Sequence, residues 1–279
     1  MFLRPGTLDE ALQTLAHTPA TVLSGGTDLF PGFTGPQLQG PVLDLSAVRE
    51  LKGIRSSPDF FLIGAGSTWT ELLAFPLPRG FDGLRAAARE IGSIQIQNQA
   101  TVGGNICNAS PAADGVAALL ALDAEVVLAS YSGRRTLPLS DFILGNRKTA
   151  RQPNEILTVI RVPRRWQTAA SSFQKLGARR YLVISIVMVA ANLRIDRSHR
   201  IEEAAIAVGS CSPKAVRLSQ LERLLAGKAA DPEVLALVTS DHFAPLSPID
   251  DIRATAAYRL EAAQVLVRRV LADGFTKVL

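Results

Sequence analysis

The chain has 279 residues, of which 47% are hydrophobic and 20% charged, with a formal net charge of +5. This profile is typical of a folded protein with ample core, and the length allows two or three domains. No apolar run is long enough to span a bilayer, and the first residues lack a signal-peptide core, so we expect a cytoplasmic protein.

The cysteines and the basic residues narrow the possible chemistry. Cys107 and Cys211 lie far apart and form no CxxC pair, which argues against a disulfide framework, a structural zinc or an iron–sulfur cluster held by this chain alone. Basic residues come in small groups without interleaved aromatics, so nucleic-acid binding is not expected. A solvated basic surface is favoured over attraction of anionic ligands or an acidic partner. The groups are Arg134-Arg135, Arg147-Lys148-Arg151, Arg164-Arg165 and Arg179-Arg180.

The first half of the chain alternates helices and strands. Thr7 and Glu10 have the spacing of a capping box and predict a helix over Leu8–Ala16. Apolar runs predict strands at Thr21–Ser24, Pro41–Leu45, Phe60–Gly64, Glu125–Ala129 and Ile156–Val162. Helices or helical turns are expected at Ala47–Leu51, Thr70–Ala74, Gly83–Ile91 and Ser110 to about Leu122. Gln95–Asn108 fits no regular element.

The second half begins with a shift in composition near Arg164–Ser172, which we interpret as a domain boundary. Strands are expected at Leu182–Ile195 and Glu203–Val208, and helices at Leu218–Ala226 and Asp251–Leu271. The last helix has Ile252, Ala256, Leu260, Ala263 and Val267 at helical spacing. Alternating helices and strands with short connections indicate an α/β or an α+β fold, and we predict an α+β fold rich in α/β units.

The first segment that could carry chemistry is Ser24-Gly-Gly-Thr-Asp28, directly after a predicted strand. Two glycines let a backbone approach a ligand closely with its N–H groups exposed, which is the arrangement that binds phosphate. Thr27 can add a hydroxyl. A plain turn, with glycines chosen for their backbone freedom, explains the same residues and stays open on this motif alone.

A second glycine segment, Thr101-Val-Gly-Gly-Asn105, leads to the helix predicted from Ser110. The unpaired N–H groups at that helix start would favour an anionic or polar ligand. Asp114, in the first turn, either complements the helix dipole or binds ribose or ribityl hydroxyls. Two such segments fit a dinucleotide better than either one alone, because a dinucleotide carries two phosphates and long polar arms.

Other chemistry is not supported by the sequence. Gly64 and Gly66 lack the third glycine of a GxGxxG fingerprint, which disfavours a Rossmann site. The histidines are isolated, and we expect no catalytic residue and no metal ligand in this chain. Cys107 lies inside the second glycine segment and could line a pocket, whereas Cys211 is better explained by packing.

Several segments together resemble one family. Leu23–Leu29, Ile96–Asp114, Pro153–Leu157 and the tail Asp251–Arg259 are similar, in order and spacing, to the FAD-binding medium subunit of the molybdenum hydroxylases. That family includes xanthine dehydrogenase and carbon monoxide dehydrogenase. The resemblance covers nearly the whole chain.

The resemblance implies a vanillyl-alcohol-oxidase (PCMH) type FAD-binding fold followed by a C-terminal flavoprotein domain. The expected bounds are 1–170, with subdomains of about 1–55 and 56–170, and 171–279. Ser24–Leu29 and Thr101–Asn105 would hold the pyrophosphate, while Arg179 and Arg180 match a basic pair at the mouth of the site. The residues expected at FAD are Leu23, Ser24, Gly25, Gly26, Thr27, Asp28, Leu29, Thr101, Gly103, Gly104, Asn105, Cys107, Asp114, Leu157 and Lys175.

Individual roles follow from the same resemblance. Asp114 would bind the sugar-like hydroxyls, Cys107 would lie beside the isoalloxazine ring, and Leu157 would pack against the adenine or the ring. Lys175 matches a lysine near the flavin. The absence of a nucleophile, base or metal cluster agrees with a subunit whose cofactor does the chemistry.

The function implied is electron transfer within a complex. A large partner subunit would hold molybdopterin, a small partner would hold two [2Fe–2S] clusters, and FAD in this chain would pass electrons to NAD or another acceptor. Two alternatives stay open. One is a stand-alone FAD reductase of the same fold, for which the sequence offers no clear proton donor. The other is an assembly subunit that has lost FAD.

Overall fold

The structure, a computed structural model, describes residues 1–32, 35 and 40–277. The chain divides into two units that are each assembled from three separate stretches. Unit 1 contains Met1–Phe75, Ile94–Ala109 and Ala124–Val162. Unit 2 contains Pro76–Ser93, Ser110–Asp123 and Pro163–Leu279. The domain bounds expected from the sequence stay a prediction.

The described residues contain the following elements in chain order. The strands are β1 (Phe2–Leu3), β2 (Thr21–Leu23), β3 (Val42–Asp44), β4 (Ile54–Ser56), β5 (Phe60–Gly64), β6 (Glu125–Ser130), β7 (Gly133–Pro138), β8 (Ile143–Gly145), β9 (Lys148–Thr149), β10 (Ile156–Pro163), β11 (Ala170–Leu176), β12 (Val187–Ile195), β13 (Ile201–Gly209) and β14 (Val216–Arg217). The helices are α1 (Leu8–His17), α2 (Trp69–Ala74), α3 (Asp82–Arg89), α4 (Ile94–Gln99), α5 (Val102–Asn108), α6 (Asp114–Leu120), α7 (Leu139–Phe142), α8 (Ser219–Leu225) and α9 (Ala256–Thr276). Short 3-10 helices lie at Arg49–Leu51, Arg79–Phe81, Arg164–Trp166, Pro232–Leu237 and Ser240–Phe243.

Unit 1 begins with a small parallel sheet in the order β1-β3-β2. Helix α1 packs on it through Ala11, Leu12 and Leu15, which are buried with Leu43 of β3. The predicted capping box is confirmed, because the Thr7 hydroxyl accepts from the Glu10 N–H and the Glu10 carboxylate accepts from the Thr7 N–H. Helix α1 covers this sheet, and β2 is one of its edge strands. The first glycine segment therefore starts at the edge of the sheet, where β2 ends.

The second sheet of unit 1 has the strand order β4-β5-β10-β6-β7. Strand β10 alternates buried and half-buried side chains and pairs antiparallel with β6. Before it, Glu155 accepts two hydrogen bonds from the Arg135 guanidinium at 2.6 and 2.8 Å and one from the Gln152 N–H at 2.7 Å. These bonds hold the pKa of Glu155 below its ordinary value, against the effect of burial.

Unit 2 is built on the antiparallel sheet β11-β12-β13-β14. Both faces of strand β12 are buried. On one face, side chains pack with the apolar side of α9; they are Val187, Val189, Ala191 and Leu193. On the other face, Asn192 donates to the Ala121 carbonyl at 3.1 Å. A strand covered on both faces reads as a nearly continuous apolar run, which is why the sequence indicated it so clearly.

The fold class predicted from the sequence is confirmed, but four elements differ from their predicted form. Gln95–Asn108, which fitted no element, forms helices α4 and α5. The helix predicted from Ser110 begins at Asp114, because Ser110 accepts from the N–H groups of Ala112 and Ala113 and closes a separate turn. Strand β12 begins only at Val187, after Leu182 takes a left-handed backbone with φ of 54°.

The last helix is also shorter at its start than predicted. It begins at Ala256, after the N-cap Thr255, and Ile252 is 97% exposed instead of packed. The cause is Asp251, whose carboxylate accepts from the N–H groups of Arg253 and Ala254 and so competes with helix formation. Within the described residues, no helix is both long and apolar enough to cross a bilayer. The expected cytoplasmic location stays a prediction.

Replacing Glu155 by glutamine should lower the free energy of unfolding by about 1 kcal/mol at pH 7, since Arg135 is partly exposed and its pairing is screened. A carboxylate whose folded pKa is depressed stabilises the fold above its unfolded pKa and loses that effect as the pH falls through the folded value. The difference between wild type and E155Q should therefore shrink as the pH drops below about 4.3. Urea unfolding at a series of pH values measures it. Glu261→Gln, at an exposed position of α9, is the matched control, and an equal pH response of both variants would contradict the expectation.

Candidate functional site

The first glycine segment is held in place by close backbone packing. It follows Leu23 at the end of β2, and a Cβ added to Gly25 would lie 2.0 Å from the carbonyl oxygen of Gln99, just before α5. Gly26 has φ of 71°, in the left-handed region that favours glycine. Gly25 is therefore required for the approach of two backbones, and Gly26 for the turn that follows.

The same segment presents a row of backbone donors. The N–H groups from Gly25 to Leu29 donate to no acceptor among the residues that the structure describes. Asp28 is exposed and the other four residues are partly exposed, so solvent or a ligand can reach the segment. Successive N–H groups in a turn form a concave surface that binds anions. This row is the property that the glycine pair predicted from the sequence.

The second glycine segment plays a different part. The N–H groups of Val102 and Gly103 already donate to the carbonyls of Ser67 and Ala65, both at 2.9 Å, and Gly104 donates to the Thr101 hydroxyl at 3.0 Å. These three N–H groups are therefore bonded within the protein and are not free to bind a ligand. Gly103 serves packing, because its added Cβ would lie 2.6 Å from the Ala65 Cβ.

Two features of the second segment are available to a ligand: the uncovered Cα of Gly104 and the side-chain amide of Asn105. Among the described residues, a Cβ on Gly104 would meet one atom within 4 Å, the Thr101 hydroxyl oxygen at 2.8 Å, so this side chain would have to shift but no backbone outside the helix demands the glycine. Beside it, the buried Oδ1 of Asn105 has no hydrogen-bond partner among the described residues. Ser24 joins the two segments through its hydroxyl, 3.2 Å from that of Thr101. Together with the row of N–H groups, these features fit the diphosphate and polar arm of a dinucleotide.

Cys107 and Leu157, the other predicted contacts in unit 1, are less accessible. Cys107 is half-buried in α5, and burial raises the pKa of its thiol to about 11, so a reactive thiolate is not expected at neutral pH. Leu157 is buried in β10 opposite Leu128 of β6. Both remain predicted, not observed, ligand contacts.

In unit 2, Asp114 and Lys175 form a buried ion pair. The Lys175 ammonium lies 2.6 Å from one carboxylate oxygen of Asp114, and the Ser185 hydroxyl donates to the other at 2.6 Å. Burial raises the pKa of Asp114, while Lys175 and Ser185 act in the opposite direction. The structure thus shows a further role for Asp114, the neutralisation of buried Lys175, in addition to the helix dipole and the ligand hydroxyl considered from the sequence.

Lys175 also lines a cavity of about 360 Å³ within unit 2. Arg179 and Arg180, the basic pair that the sequence placed at the mouth of a site, are among its lining residues, as are Glu90 and Phe173. The charged residues of the cavity wall are therefore three cations and one carboxylate, set among apolar residues.

Arg147 is a site residue that sequence reasoning missed. It was grouped with Lys148 and Arg151 as surface charge, yet its guanidinium contacts the carboxylate of Asp28, in the first glycine segment, and the side-chain oxygen of Asn108, at the end of α5. No local pattern could have revealed this, because Arg147 and Asp28 are 119 residues apart.

Comparison with known proteins agrees with this geometry. The family described as the FAD binding domain in molybdopterin dehydrogenase matches residues 1–165, and the CO dehydrogenase flavoprotein C-terminal domain matches residues 172–273. The nicotinate dehydrogenase FAD-subunit of Eubacterium barkeri is 31% identical over 98% of this chain and 95% of that protein.

Solved structures give the same result. Carbon monoxide dehydrogenase from Hydrogenophaga pseudoflava, in a form lacking the Mo-pyranopterin moiety, matches with a TM-score of 0.90 and 29% identity over 99% of this chain and 96% of that chain. Reconstituted CO dehydrogenase from Oligotropha carboxidovorans matches with a TM-score of 0.91 and 27% identity, covering 99% and 97%.

Two glycine substitutions should separate binding from folding. Gly104→Val should abolish FAD binding because its side chain would occupy the surface left bare, at a cost in stability of about 1 kcal/mol if the Thr101 cap is disturbed. Gly25→Val should abolish binding and also destabilise unit 1, since its Cβ would collide with the Gln99 backbone. Flavin content and urea unfolding of the full chain measure both effects. Gly6→Val is the control, because an added Cβ there meets, among the described residues, only the end of the Glu10 side chain at 3.6 Å. Full flavin content in both site variants would refute the assignment.

Asp114→Ala should destabilise the fold by about 3–5 kcal/mol, because it leaves the Lys175 ammonium buried without its partner. The double variant Asp114→Ala/Lys175→Met should recover most of that loss, since it removes both charges. Urea unfolding of apoprotein measures the two. A loss below about 1 kcal/mol for the single variant would mean that Asp114 acts only through the helix dipole.

Proposed function

Since this chain belongs to the family of FAD-binding medium subunits of molybdopterin-dependent dehydrogenases, we propose that it receives electrons from [2Fe–2S] clusters of a partner subunit and passes them through FAD to NAD or another acceptor. The chain is an oxidoreductase subunit, and its cofactor is FAD. In the proposed complex a large subunit carries molybdopterin and a small one carries the iron–sulfur clusters.

The observation that carries the proposal is the row of N–H groups from Gly25 to Leu29 without acceptors in the described chain. In this proposal the row binds the pyrophosphate of FAD, with the hydroxyls of Ser24 and Thr27 beside it. The bare Cα of Gly104 leaves room for the ligand, and the Asn105 amide binds a polar atom of its arm. Leu23, Gly103 and Thr101 hold these groups in place.

The remaining roles in the proposal belong to Asp114, Cys107, Leu157 and Lys175. Asp114 binds a sugar-like hydroxyl while it keeps Lys175 and Ser185, since each carboxylate oxygen can accept a second hydrogen bond. Cys107 and Leu157 contribute apolar contacts. Lys175 lies near the flavin, where a cation favours added electron density. Bound FAD supplies the redox chemistry, and the side chains set its position and electrostatics.

Purification from the native host tests the complex. The tagged full chain should bring down two further subunits, with molybdenum and iron present in fixed ratio to flavin. The same chain expressed alone should bind FAD and lack both metals. A single yellow chain that oxidises a reduced nicotinamide or a substrate unaided would favour the stand-alone reductase, and an apoprotein that gains no flavin absorbance with added FAD would favour the assembly subunit.

The electron acceptor is tested by running the last transfer in reverse. Under anaerobic conditions, NADH should bleach the flavin absorbance of the complex if NAD is the acceptor. Bleaching by a reduced dye but not by NADH would assign another acceptor. NADPH is the matched control for nucleotide specificity.

A further inference from the structure

The first glycine segment contains a negatively charged side chain, Asp28, although its proposed ligand, the FAD pyrophosphate, is also negatively charged. Asp28 lies within the row of unbonded N–H groups, and its side chain is 51% exposed. A free carboxylate among groups that bind a diphosphate would repel it, and such repulsion is appreciable at a few ångströms even in water. The segment therefore requires a cation to neutralise Asp28.

Arg147 is that cation. Its Nη1 lies 2.5 Å from Oδ2 of Asp28, and its Nη2 lies 3.5 Å from Oδ1, so the fork faces both carboxylate oxygens. The same Nη1 donates to the side-chain oxygen of Asn108. One guanidinium thus connects the far end of the first glycine segment to the last residue of α5.

The backbone of Arg147 is placed for this contact. The residue occupies the turn between β8 and β9 with φ of 56°, a conformation that few side chains other than glycine adopt. Its N–H donates at 3.0 Å to the carbonyl of Ala109, which caps α5 and itself has φ of 49°. Unfavourable backbone conformations held by surrounding structure cluster at functional sites.

The first segment is in this way fixed at both ends. At its start, Ser24 and Gly25 contact Thr101 and Gln99. At its end, Asp28 contacts Arg147. The unbonded N–H groups of Gly26 and Thr27 lie between these two attachments, so their direction is set before a ligand binds.

We propose that Arg147 is a positioning residue for the cofactor: its guanidinium neutralises Asp28 and fixes the Ser24–Leu29 segment to Asn108, which presents the N–H groups to an anionic diphosphate. The inference rests on the proposed placement of the FAD pyrophosphate on this segment. Its particular consequence is that the two charges compensate each other, so removing only the positive one harms binding more than removing both.

Four variants of the full chain test it, with the Kd for FAD measured by quenching of flavin fluorescence. Arg147→Met should raise the Kd about tenfold, because Asp28 is left uncompensated. Asp28→Asn, whose amide oxygen can still accept from Arg147, should weaken binding less than Arg147→Met does. Arg147→Met/Asp28→Asn should recover only part of the loss, with a Kd about threefold above wild type, because the repulsion is gone while the link to Arg147 stays broken. Arg147→Lys, which keeps the charge and loses the fork, should fall between wild type and Arg147→Met. The loss in Arg147→Met should diminish as salt is raised.

Arg4→Met is the matched control, since Arg4 is also exposed and ion-paired, with Asp44, in unit 1. Its Kd should stay within about twofold of wild type, and the thermal unfolding of the apoproteins should show that both arginine variants are folded. A Kd of Arg147→Met equal to wild type, or a double variant as weak as Arg147→Met, would overturn the inference. If Gly104→Val also binds FAD normally, the placement of the pyrophosphate itself fails; if Gly104→Val loses FAD, only the role of Arg147 is refuted.

Discussion

The candidate site depends on the close approach of two backbones, that of Gly25 and that of Gln99 and Ala100 before α5. No side chain larger than hydrogen fits at Gly25. The contact turns the first glycine segment so that its own N–H groups find no acceptor within the described chain, while the second segment uses its N–H groups to bond to Ala65 and Ser67. One segment is therefore a surface of donors, and the other is its support.

This division of roles changes the meaning of the two glycine pairs. Gly25 and Gly103 allow close packing, and Gly26 adopts a left-handed turn. Of the four glycines, Gly104 is the one for which no backbone contact or turn within the described residues requires the absence of a side chain. In a family that binds FAD, the open side and the donors next to it form a coherent site for a diphosphate. Arg147 completes that site by compensating the one acidic side chain in the row of donors.

Much of this could be predicted from the sequence, for physical reasons that differ between elements. The capping box of α1 and the apolar runs of β10 and β13 are local signals and placed these elements closely, whereas β12 begins at Val187 and not at the predicted Leu182. Within Gln95–Asn108, helix α5 could not be assigned because Gly103 and Gly104 disfavour a helix, which the Thr101 cap and the packing of Gly103 against Ala65 stabilise. Other features join residues that are far apart in the chain, and no periodicity in the sequence carries such information. They are the assembly of each unit from three stretches, the ion pair of Asp114 with Lys175 and the contact of Arg147 with Asp28.

The central claim is that the N–H groups of the first segment bind the FAD pyrophosphate, and amide hydrogen exchange measures this directly. In the isotope-labelled full chain, the amides of Gly25, Gly26 and Thr27 should exchange quickly without ligand and slow markedly when FAD is added. The amides of Val102 and Gly103, already bonded within the protein, should be protected in both states. Exchange at Gly25–Thr27 that stays fast in fully flavinated protein would contradict the account.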